Sequence, residues 1–395
     1  MTDDAIRRLD ALIHVGLRLA RSAKTGRILL ARAADAIDLA WVPRPWGDEI
    51  ATELEASRQA TRDPIPPKRV EQALRHAWRS KPADELDELD LEPVAVTPTA
   101  QVHRGVLEGQ PVAVKVLRPG LSATIRQDLV LLEGLLGPLR SAFPAIDAKR
   151  LLVEFRERVL EEFDLEAEAT AQRRFHRALR NHPYLSVPAP VMRLAHEGVL
   201  VSAWVDGVPI RRAPDADQAA RRLLVFALGS ARTGMVHADL DPEDVLVLAD
   251  GGLAILDFGA NRTVLPERLA DSAAALDAFA DDDPAAFAAA VERLGWLSAG
   301  DGPAALALAK RALGELTGPG PARLDSGAVL AARDRLFEDP SAAELILAAA
   351  LPPADLWPAR GVAQLFGTIA RVGATGDWVE LARAVLRDGW DTVAG

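Results

Sequence analysis

Cysteine is absent from all 395 residues. That excludes disulfides and thiolate chemistry, and it accords with a reducing compartment. Aromatic residues make up only 5%, with a single tyrosine. Small aliphatic side chains must therefore fill the core, and abundant alanine points to closely packed helices. No apolar run reaches the roughly 18 residues that a membrane span requires. No charged-then-apolar leader opens the chain. The expected location is cytoplasmic, with peripheral membrane contact left open. The formal charge of −11 sets bulk electrostatics against nucleic acid as a partner. What is present is 49% hydrophobic and 26% charged, the balance of a folded chain. Its length suits two or three domains.

Residues 1–40 read as basic amphipathic helix: Ile6, Leu9, Ile13, Leu17 and Ala20 recur at helical spacing among Arg7, Arg8, Arg18, Arg21, Lys24 and Arg27. Pro43, Pro45 and the prolines of 64–67 break that pattern. The acidic run 84–92 reads as a solvated connector. The period then changes to two. Val102–Leu107 and Val112–Leu117 alternate as strands, joined at Glu108-Gly109. Residues 145–180 lack glycine and proline, and Leu151, Phe155, Val159, Phe163, Ala167, Ala171, Phe175 and Leu179 step by four. That spacing predicts one long helix. A strand at 198–205, a helix at 217–235, a hairpin at 245–256 and alanine-rich helices after 265 complete the reading. A small β-rich lobe on a larger helical lobe follows, with a ligand cleft between them.

Three carboxylates carry the chemistry. A two-residue turn at Asp250-Gly251 would pair 249 with 252 and set Asp244 opposite Asp257. Such a pair suits a hard cation such as Mg²⁺. Asp239, one loop upstream, is placed to meet a substrate hydroxyl. The competing reading, turn and cap aspartates, explains each alone but not the spacing of all of them. Lys115 shares a strand face with Ala113, opposite Val112, Val114 and Val116. A lysine there is costly to bury without an anion. Phosphate oxygens and a helix carboxylate would supply it, against the alternative of a lysine snorkelling at a strand end. Glu161, Asp164 and Glu168 share one helix face, and Glu162 and Glu166 another.

The segments AQVHRGVLEGQPVAVKVLRPG (100–120), EEFDLEAEA (161–169), VLVSAWVDGVPI (199–210), HADLDPEDVLV (237–247) and LAILDFG (253–259) together resemble the UbiB/AarF family of atypical kinases. Some members of that family support coenzyme Q synthesis. The resemblance implies an α+β, bilobal, protein-kinase-like fold. Residues 1–90 would be a helical extension, 91–205 the smaller lobe and 206–395 the larger, mostly helical one. It implies ATP and Mg²⁺ as cofactors. By it, Lys115 contacts phosphates, Glu162 pairs with Lys115, and Glu168 is a second acidic position. Asp239 is catalytic, Asp257 is the metal aspartate, and Asp244 is a metal ligand where the family has Asn. The backbone of Ser202, Ala203 and Trp204 would face adenine, beside Ala113. Ala95, Val96 and Thr97 stand where the family has an alanine-rich nucleotide loop. Lys24-Thr25-Gly26-Arg27 stands where it has K-x-G-Q, a lid element, and Ala203 replaces a hinge acid.

No A-P-E or long activation segment follows Asp257-Phe258-Gly259, so a peptide acceptor is disfavoured. A small molecule, a lipid or plain ATP hydrolysis fits better, with a link to quinone or isoprenoid metabolism. A nucleotide-binding pseudokinase with a regulatory or scaffolding role stays open beside the enzyme. An antibiotic-phosphotransferase type is opposed by the 112–120 run and the E-x-D helix.

Overall fold

The computed structural model describes residues 3–35, 42, 46–60, 63–318 and 320–392. Pro43 and Pro45 lie outside them. The basic N-terminal stretch is two helices, α1 (Asp3–Ser22) and α2 (Gly26–Asp35). Gly26 makes the corner: a Cβ there would sit 2.5 Å from the Ala20 carbonyl oxygen, a separation no side chain tolerates. A third helix, α3 (Trp46–Ala60), and a fourth, α4 (Pro67–Trp78), follow. Pro67 begins α4 where its missing N–H does no harm.

Strands β1 (Glu88–Val96), β2 (Ala100–Leu107) and β3 (Gln110–Leu117) form an antiparallel sheet, completed by Val199–Ala203 on the far side of β3. The acidic run is thus partly strand rather than connector, and a boundary drawn at residue 90 falls inside β1. The β2–β3 turn is as the sequence indicates: Leu107 pairs with Gln110, and Glu108 and Gly109 take φ of 51° and 74°, both positive as a type I′ turn requires. Val112, Val114 and Val116 bury their face against Ile65, Val70, Leu74 and Trp78 of α4 and its approach. This apolar layer orients the opposite face, with Lys115, toward the cleft.

The stretch 145–180 is two helices, Ala148–Glu161 and Leu165–Ala178. Asp164 breaks it by capping the second: its Oδ1 accepts from the Glu166 and Ala167 amides at 3.0 and 3.1 Å. The period of four persists because Phe155, Val159, Phe163 and Leu165 all enter one core with Ile28 and Leu29 of α2 and with Leu356 and Trp357. The larger core gathers Phe175, Phe226, Phe258, Leu365 and Ile369 around the buried helix Ala216–Arg232. The remainder is mostly helical. No helix among the described residues is long and apolar enough to cross a membrane.

Candidate active site

Lys115 projects from β3 into the space between the sheet and the helical part of the chain. Its Nζ lies 2.9 Å from both oxygens of Glu168 and 3.1 Å from Asp257 Oδ2. The lysine's helix carboxylate is therefore Glu168, not Glu162. Glu162 ends the first half of the broken helix, whereas Glu168 lies one turn inside the second half, below β3. Burial pushes the Glu168 carboxyl up to about 7, with Lys115 opposing. Burial also works against the Lys115 charge, yet the Asp257 and Glu168 carboxylates more than reverse that and raise it above the ordinary lysine range.

Glu162 has another cation. Arg360, on the helix Leu356–Val372, donates to Glu162 Oε1 at 2.6 Å and to Asp239 Oδ2 at 2.8 Å. Its side chain is fully buried. Sequence reasoning missed it. A signal existed: Arg360, Gln364 and Thr368 recur at i, i+4 and i+8 on an otherwise apolar helix, and all three are buried. Thr368 Oγ1 donates to the Leu240 carbonyl. Gly361 lets this helix touch the strand before Asp239, since a Cβ there would be 2.7 Å from the His237 carbonyl oxygen.

His237 ties the two aspartate loops together. Its Nε2 is 2.6 Å from the Asp257 carbonyl oxygen, which can only accept, so Nε2 carries the proton. Nδ1 then accepts from the Asp239 amide at 3.3 Å. Burial lowers the pKa of this ring, in keeping with a neutral imidazole. Phe175, Phe226 and Phe258 pack around it with ring centroids 5.0–6.3 Å away. Asp257 takes φ of 48°, a left-handed conformation uncommon outside glycine and frequent where function demands it.

The hairpin below these residues has a different register. Val245 pairs with Ile255 and Val247 with Leu253. The turn is one residue longer than two because Gly251 alone takes positive φ, 81°, as in a type I turn with a glycine bulge. Asp244 therefore stands opposite Leu256, whose amide donates to the Asp244 carbonyl oxygen at 2.8 Å, not opposite Asp257. The side chains still feel each other. Burial first, then Asp257, Asp239 and Asp241, push the Asp244 carboxyl well above its usual range. No group of three or more acidic, histidine or cysteine side chains is arranged to hold a metal among the described residues. A crowded carboxylate pair does fit Mg²⁺, which takes one or two protein carboxylates and completes its shell with phosphate and water oxygens.

Other expected positions divide. Ala113 pairs with Ser202 across the β3 edge. The amides of Ala203 and Trp204 are already donated, to Ala189 and Pro111 carbonyl oxygens at 2.9 and 3.1 Å, so neither is presented as a donor to a base. Ala95 and Val96 end β1, and Thr97 makes a compact turn with Ala100, amide to carbonyl at 2.9 Å. Lys24 is exposed. Thr25 donates through N and Oγ1 to Asp128 Oδ2, each at 2.7 Å, and Arg27 meets Glu53 at 3.0 Å. The Lys24–Arg27 element is thus fixed on α3 and the 121–128 helix, and Arg27 does not face Glu162 or Glu168.

A lysine tied to a helix acid, a histidine-aspartate loop and an aspartate ending a hairpin lie between a small sheet and a helical body in a kinase-like α+β fold. Comparisons with known proteins bear on the family and the fold. Residues 58–291, more than half of the chain, match the ABC1 atypical kinase-like domain. A Marinobacter nauticus protein named probable protein kinase UbiB is 30% identical over 239 residues, 56% of this chain and 44% of that protein. The uncharacterized protein slr0889 of Synechocystis is 30% identical over 222 residues, 51% of this chain and 54% of its own. Rv3197 of Mycobacterium tuberculosis, solved as a complex with erythromycin, matches in fold with a TM-score of 0.65 at 22% identity, over 94% of this chain and 92% of that one. The chain belongs to the ABC1 family of atypical kinase-like proteins, to which UbiB proteins belong. It spans about half the length of the two curated relatives.

Proposed function

We propose that the chain binds ATP with Mg²⁺ in this cleft and catalyses phosphoryl transfer or ATP hydrolysis. The observation that carries the reading is Lys115, held between Glu168 and Asp257 with its side chain still 21% exposed. It is braced for an anion and open to one. Lys115 would neutralise phosphate charge, and Asp257 and Asp244 would hold a Mg²⁺ that, when bound, would offset the charge on the triphosphate. Asp239, its carboxylate oriented by Arg360, would accept the proton of the attacking hydroxyl or water. His237 keeps the Asp239 and Asp257 loops in fixed relation. The acceptor is a small molecule or lipid; the link to quinone or isoprenoid metabolism rests on the UbiB relatives alone. The division into a helical extension, a smaller lobe and a larger helical lobe stands as part of the same proposal, with the first boundary placed before β1 at Glu88.

A pseudokinase is the second reading. It is favoured by the Ala203 and Trp204 amides, which are already satisfied, and by the Arg360 contact on Asp239. Phosphate release from ATP by the purified chain separates the two. Turnover that disappears in Asp239→Asn supports the enzyme. ATP binding without turnover, unaltered by Asp239→Asn, supports the scaffold.

A further inference from the structure

Away from the lysine cleft, a trough of about 1160 Å³ opens on the other side of the β3 end. Its walls are one side of α4, the Leu117–Gly120 turn with the start of the helix Leu121–Asp128, and His196–Val199. Arg69, Arg75, Arg79, Arg118 and Arg126 line it together with His76 and His196, against only Glu166 and Glu197. On a chain of net charge −11 that is a local reversal of sign. Arg126 and Glu197 form a loose, exposed pair at 3.4 Å. Arg69, Arg75 and Arg79 make no ion pair among the described residues. Guanidinium groups that outnumber the nearby carboxylates repel one another, and a bound anion relieves them.

The backbone gives a second observation. Arg79 closes α4 with φ of 57°. This left-handed position is more often glycine's, and here it turns the Arg79 side chain into the trough lining. Arg118 is half-buried and donates to the Asp63 and Thr97 carbonyl oxygens at 3.1 and 3.2 Å, which holds its guanidinium in place at the edge of the trough. Val199, also lining the trough, is fully buried.

We infer that this trough is a second ligand site, for a small molecule carrying clustered phosphate groups, bound by Arg69, Arg75, Arg79 and Arg118. Guanidinium groups suit phosphate oxygens because they can donate in pairs. The walls come from three separate segments, α4, the Leu117–Gly120 turn and His196–Val199, a three-sided arrangement that suits a soluble polyanion. The site stands apart from the nucleotide reading.

The test titrates sodium tripolyphosphate into the full chain by calorimetry, with chelator present so that no metal assists the nucleotide cleft. The double variant Arg75→Gln/Arg79→Gln, both at exposed side chains, should weaken binding at least about tenfold and leave Mg·ATP affinity unchanged. No binding by the wild type overturns the site. Equal weakening of tripolyphosphate and Mg·ATP overturns it too, because the anion would then be reading the nucleotide cleft. Loss of binding to phosphatidylglycerol vesicles with unchanged tripolyphosphate binding would make the patch a membrane contact instead. Failure of ATP to bind leaves the groove result standing.

Discussion

Two buried charge clusters meet at the cleft, and they are built differently. Lys115 with Glu168 and Asp257 lies wholly within residues 58–291, the segment that matches the family. Arg360 with Glu162 and Asp239 takes its cation from beyond that segment. The lysine is partly exposed and can exchange a carboxylate for a ligand. The arginine is sealed, with a side-chain exposure of 0%, and has no such freedom. One cluster keeps an exposed cation beside the cleft; the other ties the Asp239 loop to the helix that carries Arg360.

The largest effect should come from the sealed cluster. Arg360→Met leaves Glu162 and Asp239 without their shared guanidinium and should lower stability by about 3–5 kcal/mol, read by urea denaturation. Adding Glu162→Gln should recover part of that loss. If Arg360→Met unfolds at the wild-type midpoint, the two clusters do not differ as described.

Gly361→Ala comes next. Its Cβ would press on the His237 carbonyl oxygen, so about 1–3 kcal/mol should be lost, with turnover falling as the Asp239 loop moves. Wild-type stability and turnover would mean that the helix gives way easily.

At the open cluster the effect depends on pH. Glu168 moves from an ordinary 4.5 to about 7, so the folded state binds its proton more tightly than the unfolded one. The stability this group provides is present below about 4.5 and is lost as pH rises toward 7. Lys115→Met removes the opposing cation, so its stability deficit should be larger at pH 8 than at pH 6. Nucleotide affinity of the wild type should rise with pH through about 7, as Glu168 ionises and grips Lys115, and Glu168→Gln should flatten that rise. A flat wild-type profile would contradict the pairing.

The smallest effect belongs to Arg27. It is 41% exposed and pairs with Glu53, so Arg27→Gln should change stability by no more than about 1 kcal/mol and leave nucleotide handling alone. A clear change in ATP turnover would restore the lid role that the K-x-G-Q likeness suggests.

The same contrast marks what the sequence makes visible. The β2–β3 hairpin and the face of Lys115 are legible because period-two alternation and Glu108-Gly109 are local signals. Asp164 reads as part of one helix face, because the apolar step of four runs on through its cap. The Asp250-Gly251 turn reads one residue too short, because Asp250 does not take the positive φ that a two-residue turn needs. Arg360 lies 198 residues from Glu162, and no local pattern can announce a partner at that distance. The polar stripe Arg360, Gln364, Thr368 could have marked its helix as facing something polar, without saying what.

On the proposed reading, Lys115, Asp244 and Asp257 form a metal-dependent nucleotide site. Thermal unfolding followed with ATP, in the presence and absence of Mg²⁺, is the direct test. ATP should stabilise the wild type only with Mg²⁺, and that stabilisation should disappear in Asp257→Asn. Equal stabilisation without the metal, or full retention of the metal-dependent part in Asp257→Asn, would contradict it.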